Sequence, residues 1–258
     1  MKKIILSLVV ILVVFCIFGV WKNGRHENII AKLGERALLP EERGLKYRVY
    51  FFGIIPMGEG IIEPAKSDYF QEKKAYYLKG AATNLAIFNR IFAASAVIES
   101  YVDSDKLTPF IFKQKTKLAN WPQMYKEVTY DQTNNVMTLN GVKRKILPDT
   151  YDPISAIYAI RKRDLSGVKE IELNINTNQK NYVLSAALEH KEINIKGDKY
   201  NLVFAKADIR RRDKNNPYHQ TKLDMVILKG KENTPVLIRV FNSGLLIYAR
   251  LIDILPNP

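Results

Sequence analysis

The chain has 258 residues, and its 40 lysines and arginines exceed its 26 aspartates and glutamates, giving a formal net charge of +14. This length is enough for one large domain or two small ones, and a single cysteine excludes an intramolecular disulfide framework. The excess of basic residues would attract anionic lipid headgroups, acidic polysaccharide or nucleic acid, although dispersed lysines also serve solubility alone.

The first 25 residues predict export. Lys2 and Lys3 precede an uncharged run from Ile4 to Trp21, which Lys22 closes. The run approaches the roughly 20 residues that span a bilayer, and no Ala-x-Ala cleavage site follows it. We therefore expect residues 1–25 to contain an apolar helix that acts as an uncleaved signal-anchor, with a cleaved signal peptide as the alternative.

This segment also predicts where the protein works. A short basic N-terminus ahead of the first apolar segment favours a cytoplasmic start and an exported remainder. We expect the rest of the chain on the periplasmic side of the inner membrane, anchored by residues 4–21 or released if they are cleaved. The location argues against nucleic acid as a partner and leaves the membrane itself as the first one.

Residues 26–44 carry many charges, and we expect a stalk or short helix that links the anchor to a β-rich domain over residues 45–255. Aromatic and branched residues from Leu45 to Phe52 favour a strand, and Gly53 and Pro56 indicate a tight turn into a second one. A further strand is predicted over residues 73–83.

The next segment has helical spacing. Leu85, Phe88, Ile91 and Phe92 recur on one helical face, and Asn84 could cap its start, so we expect a short helix over residues 84–94. From residue 96 the period falls to two, which predicts a strand. Other strands are expected over residues 107–118, 124–131, 136–139, 142–147, 169–176, 180–189, 191–196, 199–209, 221–229, 234–241 and 245–252.

A second helix is predicted over residues 152–163. Asp152 is a favourable N-cap, and Pro153 occupies the first helical position, where its missing N–H costs nothing. One face then carries Ile154, Ile157, Tyr158 and Arg161. A guanidinium on an apolar face needs a partner, which would be helix C-terminal carbonyls, an acid from the sheet or a ligand anion.

Together these elements predict a mainly β fold. We expect one large antiparallel sheet, curved into a barrel-like or half-barrel form, with two short helices and the apolar N-terminal helix ahead of it.

The sequence shows no catalytic constellation, no metal-ligand spacing and no phosphate-binding loop, and it therefore predicts no cofactor. Asp103 and Asp105 flank a turn, as acidic residues commonly do. Arg210 and Arg212 would share one face of a strand, where they could contact an anion or simply end the strand in solvent.

The second helix also carries a family resemblance. The segment from Asp152 to Arg161 resembles the Asp-x-x-Ser-x-x-Tyr-x-x-Arg motif of a bacterial exported family catalogued as domain of unknown function 3108, with Ser155 and Tyr158 at the inner positions. Other similar stretches follow the family order: Tyr47-Arg48-Val49, Glu99-Ser100-Tyr101-Val102-Asp103 and Val128-Thr129-Tyr130-Asp131. The resemblance implies export and a sheet-rich fold, and it implies no activity.

We therefore expect a non-enzymatic cell-envelope protein that binds a lipid, an anionic glycolipid or another acyl-chain-bearing anionic ligand in an apolar concave sheet. One alternative is a scaffold or assembly factor that binds another envelope protein, which an exposed apolar patch or an unpaired edge strand would favour. The other is a cell-wall or polysaccharide hydrolase, which would need two acids or a Ser/His pair in a cleft.

Overall fold

The computed structural model describes residues 25–38, 43–88, 93–119, 121–212 and 221–256. The expected signal-anchor lies outside these residues. Within them, neither helix is both long and apolar enough to cross a membrane.

The described residues form sixteen strands, two α-helices and one 3₁₀ turn at Ala86–Phe88. The helices are α1 (Arg25–Leu38) and α2 (Pro153–Lys162). The strands are β1 (Gly44–Phe51), β2 (Ile55–Ile62), β3 (Lys66–Phe70), β4 (Lys73–Asn84), β5 (Ala94–Asp103), β6 (Pro109–Leu118), β7 (Met124–Asp131), β8 (Val136–Leu139), β9 (Val142–Lys145), β10 (Thr150–Tyr151), β11 (Glu170–Thr177), β12 (Lys180–Ile195), β13 (Asp198–Arg211), β14 (Thr221–Leu228), β15 (Thr234–Asn242) and β16 (Leu245–Leu255).

All strands belong to one sheet. Its order runs from β10 through β16, then β1, β2 and β4 through β9, while β3 pairs with β4 beside this path. Every neighbouring pair is antiparallel except β10 and β11. The two edge strands, β9 and β10, are consecutive in the chain, so the sheet returns almost to its own start.

Successive antiparallel strands turn back at alternate ends of the sheet. We call the end that carries the β1–β2, β6–β7, β11–β12 and β15–β16 connections the rim end. The opposite end, which carries the β5–β6, β7–β8, β12–β13 and β14–β15 connections, is the base end.

Helix α2 explains the curvature of the sheet. Its Ile160 belongs to a buried cluster with Leu173 and Val203 from β11 and β13. Its Ile154 and Tyr158 belong to a second cluster with side chains of β4 and β5, which lie far from β11 in the strand order. One helix can fill both clusters only if the sheet wraps around it, and we call the face that carries α2 the inner face.

Helix α1 packs on the opposite face of the same sheet. Leu202 belongs to the α1 cluster while its neighbour Val203 belongs to the α2 cluster, and adjacent strand residues point to opposite faces. The buried side of α1 carries Ile29, Ile30 and Leu33. The segment expected as a stalk or short helix therefore contains a helix, and this helix is part of the domain's packing.

The predicted fold class is confirmed, but one of its two short helices lies elsewhere. The helix expected over residues 84–94 is wrong in its described part, where only the 3₁₀ turn forms and residues 89–92 are outside the described ranges. Asn84 ends β4, and its Oδ1 accepts a hydrogen bond from the Ala94 N–H at 2.8 Å. Leu85 donates its N–H to Met57 O at 2.9 Å, so strand pairing continues where a helix was expected.

Some strand assignments also differ from expectation. The strands predicted over residues 180–189 and 191–196 form one strand, β12, which pairs with β13 along its whole length from Tyr182 to Ile195. The short strand β3 was not predicted, because its sequence, Lys-Ser-Asp-Tyr-Phe, is mostly polar and exposed.

Candidate functional site

The N-terminus of α2 is a fully buried capping box. Asp152 has no exposed surface, and its carboxylate accepts from the N–H groups of Ile154 at 2.9 Å and Ser155 at 3.0 Å. It also accepts from Ser100 Oγ at 2.6 Å, while the Asp152 N–H donates to Ser155 Oγ at 2.9 Å. Burial raises the pKa of Asp152 to about 6, against the opposing effect of these hydrogen bonds.

The other motif residues continue along the same buried helix. The Tyr158 hydroxyl donates to Glu63 O, and the Arg161 guanidinium lies over the Tyr158 ring at 5.0 Å from its centroid. Arg161 is only 2% exposed, and its Nη2 donates to Glu232 Oε2 at 2.9 Å and to Arg43 O at 3.1 Å. Of the three partners expected for this guanidinium, the structure supplies a carboxylate, from the turn between β14 and β15.

The residue after Glu232 also bonds to the end of α2. Asn233 is buried; its N–H donates to Arg161 O at 2.8 Å and its Nδ2 donates to Ile160 O at 3.0 Å and Arg163 O at 2.7 Å. It therefore satisfies the carbonyls that end α2. Sequence reasoning missed Glu232 and Asn233, because their only local signal is two polar residues between predicted strands.

A cavity of about 220 Å³ lies beside α2 on the inner face. Its walls come from β1, β2, β4, β5, β15 and β16, and α2 contributes Ile154 and Ile157. The lining is apolar apart from the hydroxyl of Tyr47, which donates to Pro235 O at 2.8 Å. The cavity is not lined by any of the four motif residues, Asp152, Ser155, Tyr158 and Arg161. The motif therefore holds α2 in place, while Ile154 and Ile157, which lie between the motif residues, face the cavity.

Small residues create this space. Gly60, Ala82 and Ala96 pair with one another in a single row across β2, β4 and β5. A Cβ added at Gly60 would meet nothing closer than Ala81 O at 3.9 Å. Ala82 is exposed although it faces the inside of the curved sheet. The cavity is thus open to solvent, and it exists because the residues of this row have small side chains or none.

One lysine shares the inner face near the cavity. Ile98 lines the cavity and pairs with Gln114, which in turn pairs with Lys126. Lys126 is half-buried; its Nζ donates to Asn178 Oδ1 at 3.1 Å and lies 5.9 Å from the centre of the Phe112 ring. Burial lowers the pKa of Lys126.

The two arginines that the sequence singled out lie apart from this cavity. Arg210 is exposed near Asp208 at 3.5 Å, and Arg212 is exposed near Glu172 at 3.9 Å. Arg212 also lines a crevice of about 370 Å³ with Arg144, Lys145 and Lys180 among others. Their contact with an anion stays a prediction.

The two aspartates that flank a predicted turn, Asp103 and Asp105, lie in such a turn. Asp103 Oδ1 accepts from the N–H groups of Asp105 at 2.9 Å and Lys106 at 2.8 Å, which is the geometry of a capped turn. Across the parts of the chain that the structure describes, no group of three or more His, Cys, Asp or Glu side chains could hold a metal ion.

These features define a barrel-like antiparallel β protein with a buried helix and an open apolar cavity. The chain belongs to the family described as a protein of unknown function, DUF3108, whose model matches residues 46–243. The resemblance noted in the sequence is thereby confirmed.

A solved structure with a similar fold supports this architecture. It is the crystal structure of a β-barrel-like protein of the domain of unknown function DUF1849 from Brucella abortus, with a TM-score of 0.56 and 8% sequence identity. The similarity covers 83% of this chain and 97% of the other. No curated protein matches the chain.

Proposed function

We propose that this protein is a non-enzymatic binding protein of the cell envelope, which holds the apolar chain of a lipid-like anionic ligand in the cavity beside α2. The observation that carries the proposal is the solvent-open apolar hollow lined by Gly60, Ala82 and Ala96. Strand positions on an inner face usually carry larger side chains, and an apolar cavity offers a site from which an apolar molecule displaces water.

The size of the cavity limits the ligand. Its volume of about 220 Å³ exceeds that of an engineered apolar cavity of roughly 150 Å³ that binds benzene. It falls below the roughly 300 Å³ at which sites for drug-sized ligands begin. The cavity therefore suits a segment of one acyl chain rather than a whole phospholipid.

Lys126 supports an anionic headgroup. Its ammonium is partly desolvated and has a neutral amide as its hydrogen-bond partner. A carboxylate or phosphate beside it would favour the charged form of the lysine.

The lining argues against an enzyme. Among the described residues that line the cavity, Tyr47 is the only titratable one, and its hydroxyl is already bonded to Pro235 O. General acid–base chemistry needs a titratable group within reach of the substrate. Holding a ligand without transforming it needs none.

The envelope location belongs to the same proposal and rests on the sequence. Two lysines followed by the uncharged run from Ile4 to Trp21 support a signal-anchor that places the domain on the periplasmic side of the inner membrane.

A binding assay with decanoate tests the cavity. We expect Gly60→Leu to abolish decanoate binding, since its side chain would occupy the hollow. Thr83→Leu is the matched control, because Thr83 follows Ala82 on β4 and points to the other face. Equal binding by wild type and Gly60→Leu would refute the proposal.

The headgroup has its own test. We expect Lys126→Met to weaken binding of decanoate while leaving binding of uncharged decanol unchanged. Mass spectrometry of organic extracts from purified wild type and Gly60→Leu would then identify a co-purifying lipid as the species lost in the variant.

A further inference from the structure

Exposed apolar side chains concentrate at one end of the sheet. Among the described residues, all large exposed hydrophobic side chains except Leu38 and Tyr69 lie at or near the rim end. Trp121 is 72% exposed and Ile87 is 76% exposed. Scattered exposed apolar residues need no explanation, but a concentration at one end indicates an interaction surface.

Part of this set is contiguous. Phe51 pairs with both Ile55 and Ile247, which places these two exposed isoleucines on either side of it. The Phe52 N–H donates to Leu246 O at 2.8 Å, so the β1–β2 and β15–β16 turns lie side by side. Trp121 extends the apolar rim at the β6–β7 connection.

The same end is strongly basic. The described rim-end stretches are residues 51–58, 82–88, 93–96, 114–119, 121–126, 139–145, 174–183, 207–212, 221–223 and 239–248. Their exposed basic residues include Lys115, Lys117, Lys143, Lys180, Arg210 and Arg212. Asp208 is the only acidic residue in these stretches, and it contacts Arg210 at 3.5 Å. Three further acids, Glu59, Glu172 and Asp224, lie level with these stretches in the strand register. Each of them contacts a basic side chain, so the end as a whole keeps an excess of lysines and arginines.

Helix α1 points its N-terminus toward this end. His26, near its start, packs against Phe204 in the middle of β13, with ring centroids 5.6 Å apart. Arg36, near its end, pairs with Asp253 at 3.0 Å, close to the base end. The start of α1 at Arg25, which the uncharged run of residues 4–21 precedes in the sequence, therefore faces the rim end.

We infer that the rim end docks on an anionic lipid surface, with its apolar turns in the headgroup region and its lysines and arginines against the phosphates. Aromatic and apolar side chains flanked by basic ones are the combination that such an interface favours. The excess of basic side chains at the rim end complements an anionic lipid surface, and the N-terminus of α1 faces the same end. These two observations favour a membrane over a protein surface on which acidic and basic residues balance. The inference does not depend on the proposed cavity ligand.

The two tryptophans of the chain provide the test. In the full chain carrying Trp21→Phe, Trp121 is the sole tryptophan reporter. We would reconstitute this protein in vesicles of brominated phosphatidylcholine, with or without phosphatidylglycerol, and measure quenching of its fluorescence by the bromines. We expect quenching with phosphatidylglycerol present and its loss at about 1 M salt, where the Debye length is about 3 Å.

Matched variants separate docking from mere anchoring. Tyr69 is 66% exposed at the base end, so a Tyr69→Trp reporter with both native tryptophans changed to Phe should stay unquenched. Lys115→Gln and Lys117→Gln should each reduce the docked-to-undocked ratio about fivefold. Lys74→Gln, at the base end, should leave it unchanged.

Two results would overturn the inference. One is equal quenching of the Trp121 and Tyr69→Trp reporters. The other is an unquenched Trp121 in every lipid mixture, which would instead point to a protein partner at the rim. Decanoate binding, measured on the same preparations, tests the cavity proposal separately. Retained decanoate binding together with an unquenched Trp121 would overturn the docking inference alone.

Discussion

Arg161 donates to Glu232 at 2.9 Å and thereby joins the end of α2 to the turn between β14 and β15. The arginine side chain is 2% exposed and the glutamate side chain 14% exposed. Arg161 Nε and Nη1 have no hydrogen-bond partner among the described residues, so this carboxylate carries most of the compensation for a buried charge.

We expect Glu232→Gln to lower the free energy of unfolding by roughly 3 kcal/mol, because it leaves the guanidinium buried without a counter-charge. Urea denaturation measures this. Glu232 also contacts Lys162 at 2.5 Å, but that lysine is about one-third exposed, so Lys162→Met is the control and should cost under about 1 kcal/mol. Similar losses in the two variants would show that the buried pair does not matter.

Asp152 predicts a specific pH dependence. Its folded pKa of about 6 lies above the ordinary aspartate value of 3.8, so its protonated form favours the folded state. Stability from this group is present below about pH 4 and is lost as the pH rises to 6, by about 3 kcal/mol in total. Asn caps helices as well as Asp does. We would measure the free energy of unfolding of the wild type and of Asp152→Asn by urea denaturation from pH 3 to 8. The difference, wild type minus variant, should fall between about pH 4 and 6. A difference that does not change with pH would contradict the raised pKa of Asp152.

Two glycines on β2 should respond in opposite directions to the same substitution. Gly60→Val should raise the free energy of unfolding by about 1 kcal/mol, because it fills open space and favours a strand. Gly58→Val should lower it, because a Cβ there would lie 2.5 Å from Thr83 O. Thermal unfolding of both variants measures the contrast. If Gly60→Val destabilised the protein as much as Gly58→Val does, the space beside Gly60 would not exist.

Asn233 makes a prediction about the end of α2. Its side-chain amide donates to two helix carbonyls, so Asn233→Ala should cost about 2 kcal/mol through buried groups left without partners. Asn134 offers a control, since its side-chain amide donates to Asp131 in an exposed turn. Asn134→Ala should change stability by less than about 0.5 kcal/mol. Urea unfolding of the two variants should rank them in this order.

Local sequence signals predicted the parts of the fold that local physics decides. Asp152 and Pro153 mark the start of α2, and Asn140-Gly141 occupies the turn between β8 and β9, with positive φ at both residues. The strand pattern was sufficient for the fold class, because alternating residues on a half-buried sheet leave a direct trace in the sequence.

Long-range contacts decided the rest. Residues 84–88 have helical spacing, yet Leu85 pairs with Met57, nearly thirty residues earlier in the chain. The partner of Arg161 is seventy-one residues away. No local sequence signal predicts the cavity either. Gly60, Ala82 and Ala96 form one row only when β2, β4 and β5 pair in the observed register.

The unjoined edges of the sheet have a mechanical consequence. In the described residues β9 and β10 share no backbone ladder. Side-chain hydrogen bonds instead join β9 to the β11–β12 turn and to β12: Arg144 Nε donates to Gln179 Oε1 at 2.6 Å, and Asn181 Nδ2 donates to Lys145 O at 3.1 Å. In a closed barrel the backbone hydrogen bonds between all neighbouring strands fix the diameter. A sheet whose edges are held by a few side-chain hydrogen bonds can widen or narrow at a small cost in free energy. The curvature of the sheet can thus change at this seam without the loss of any backbone ladder.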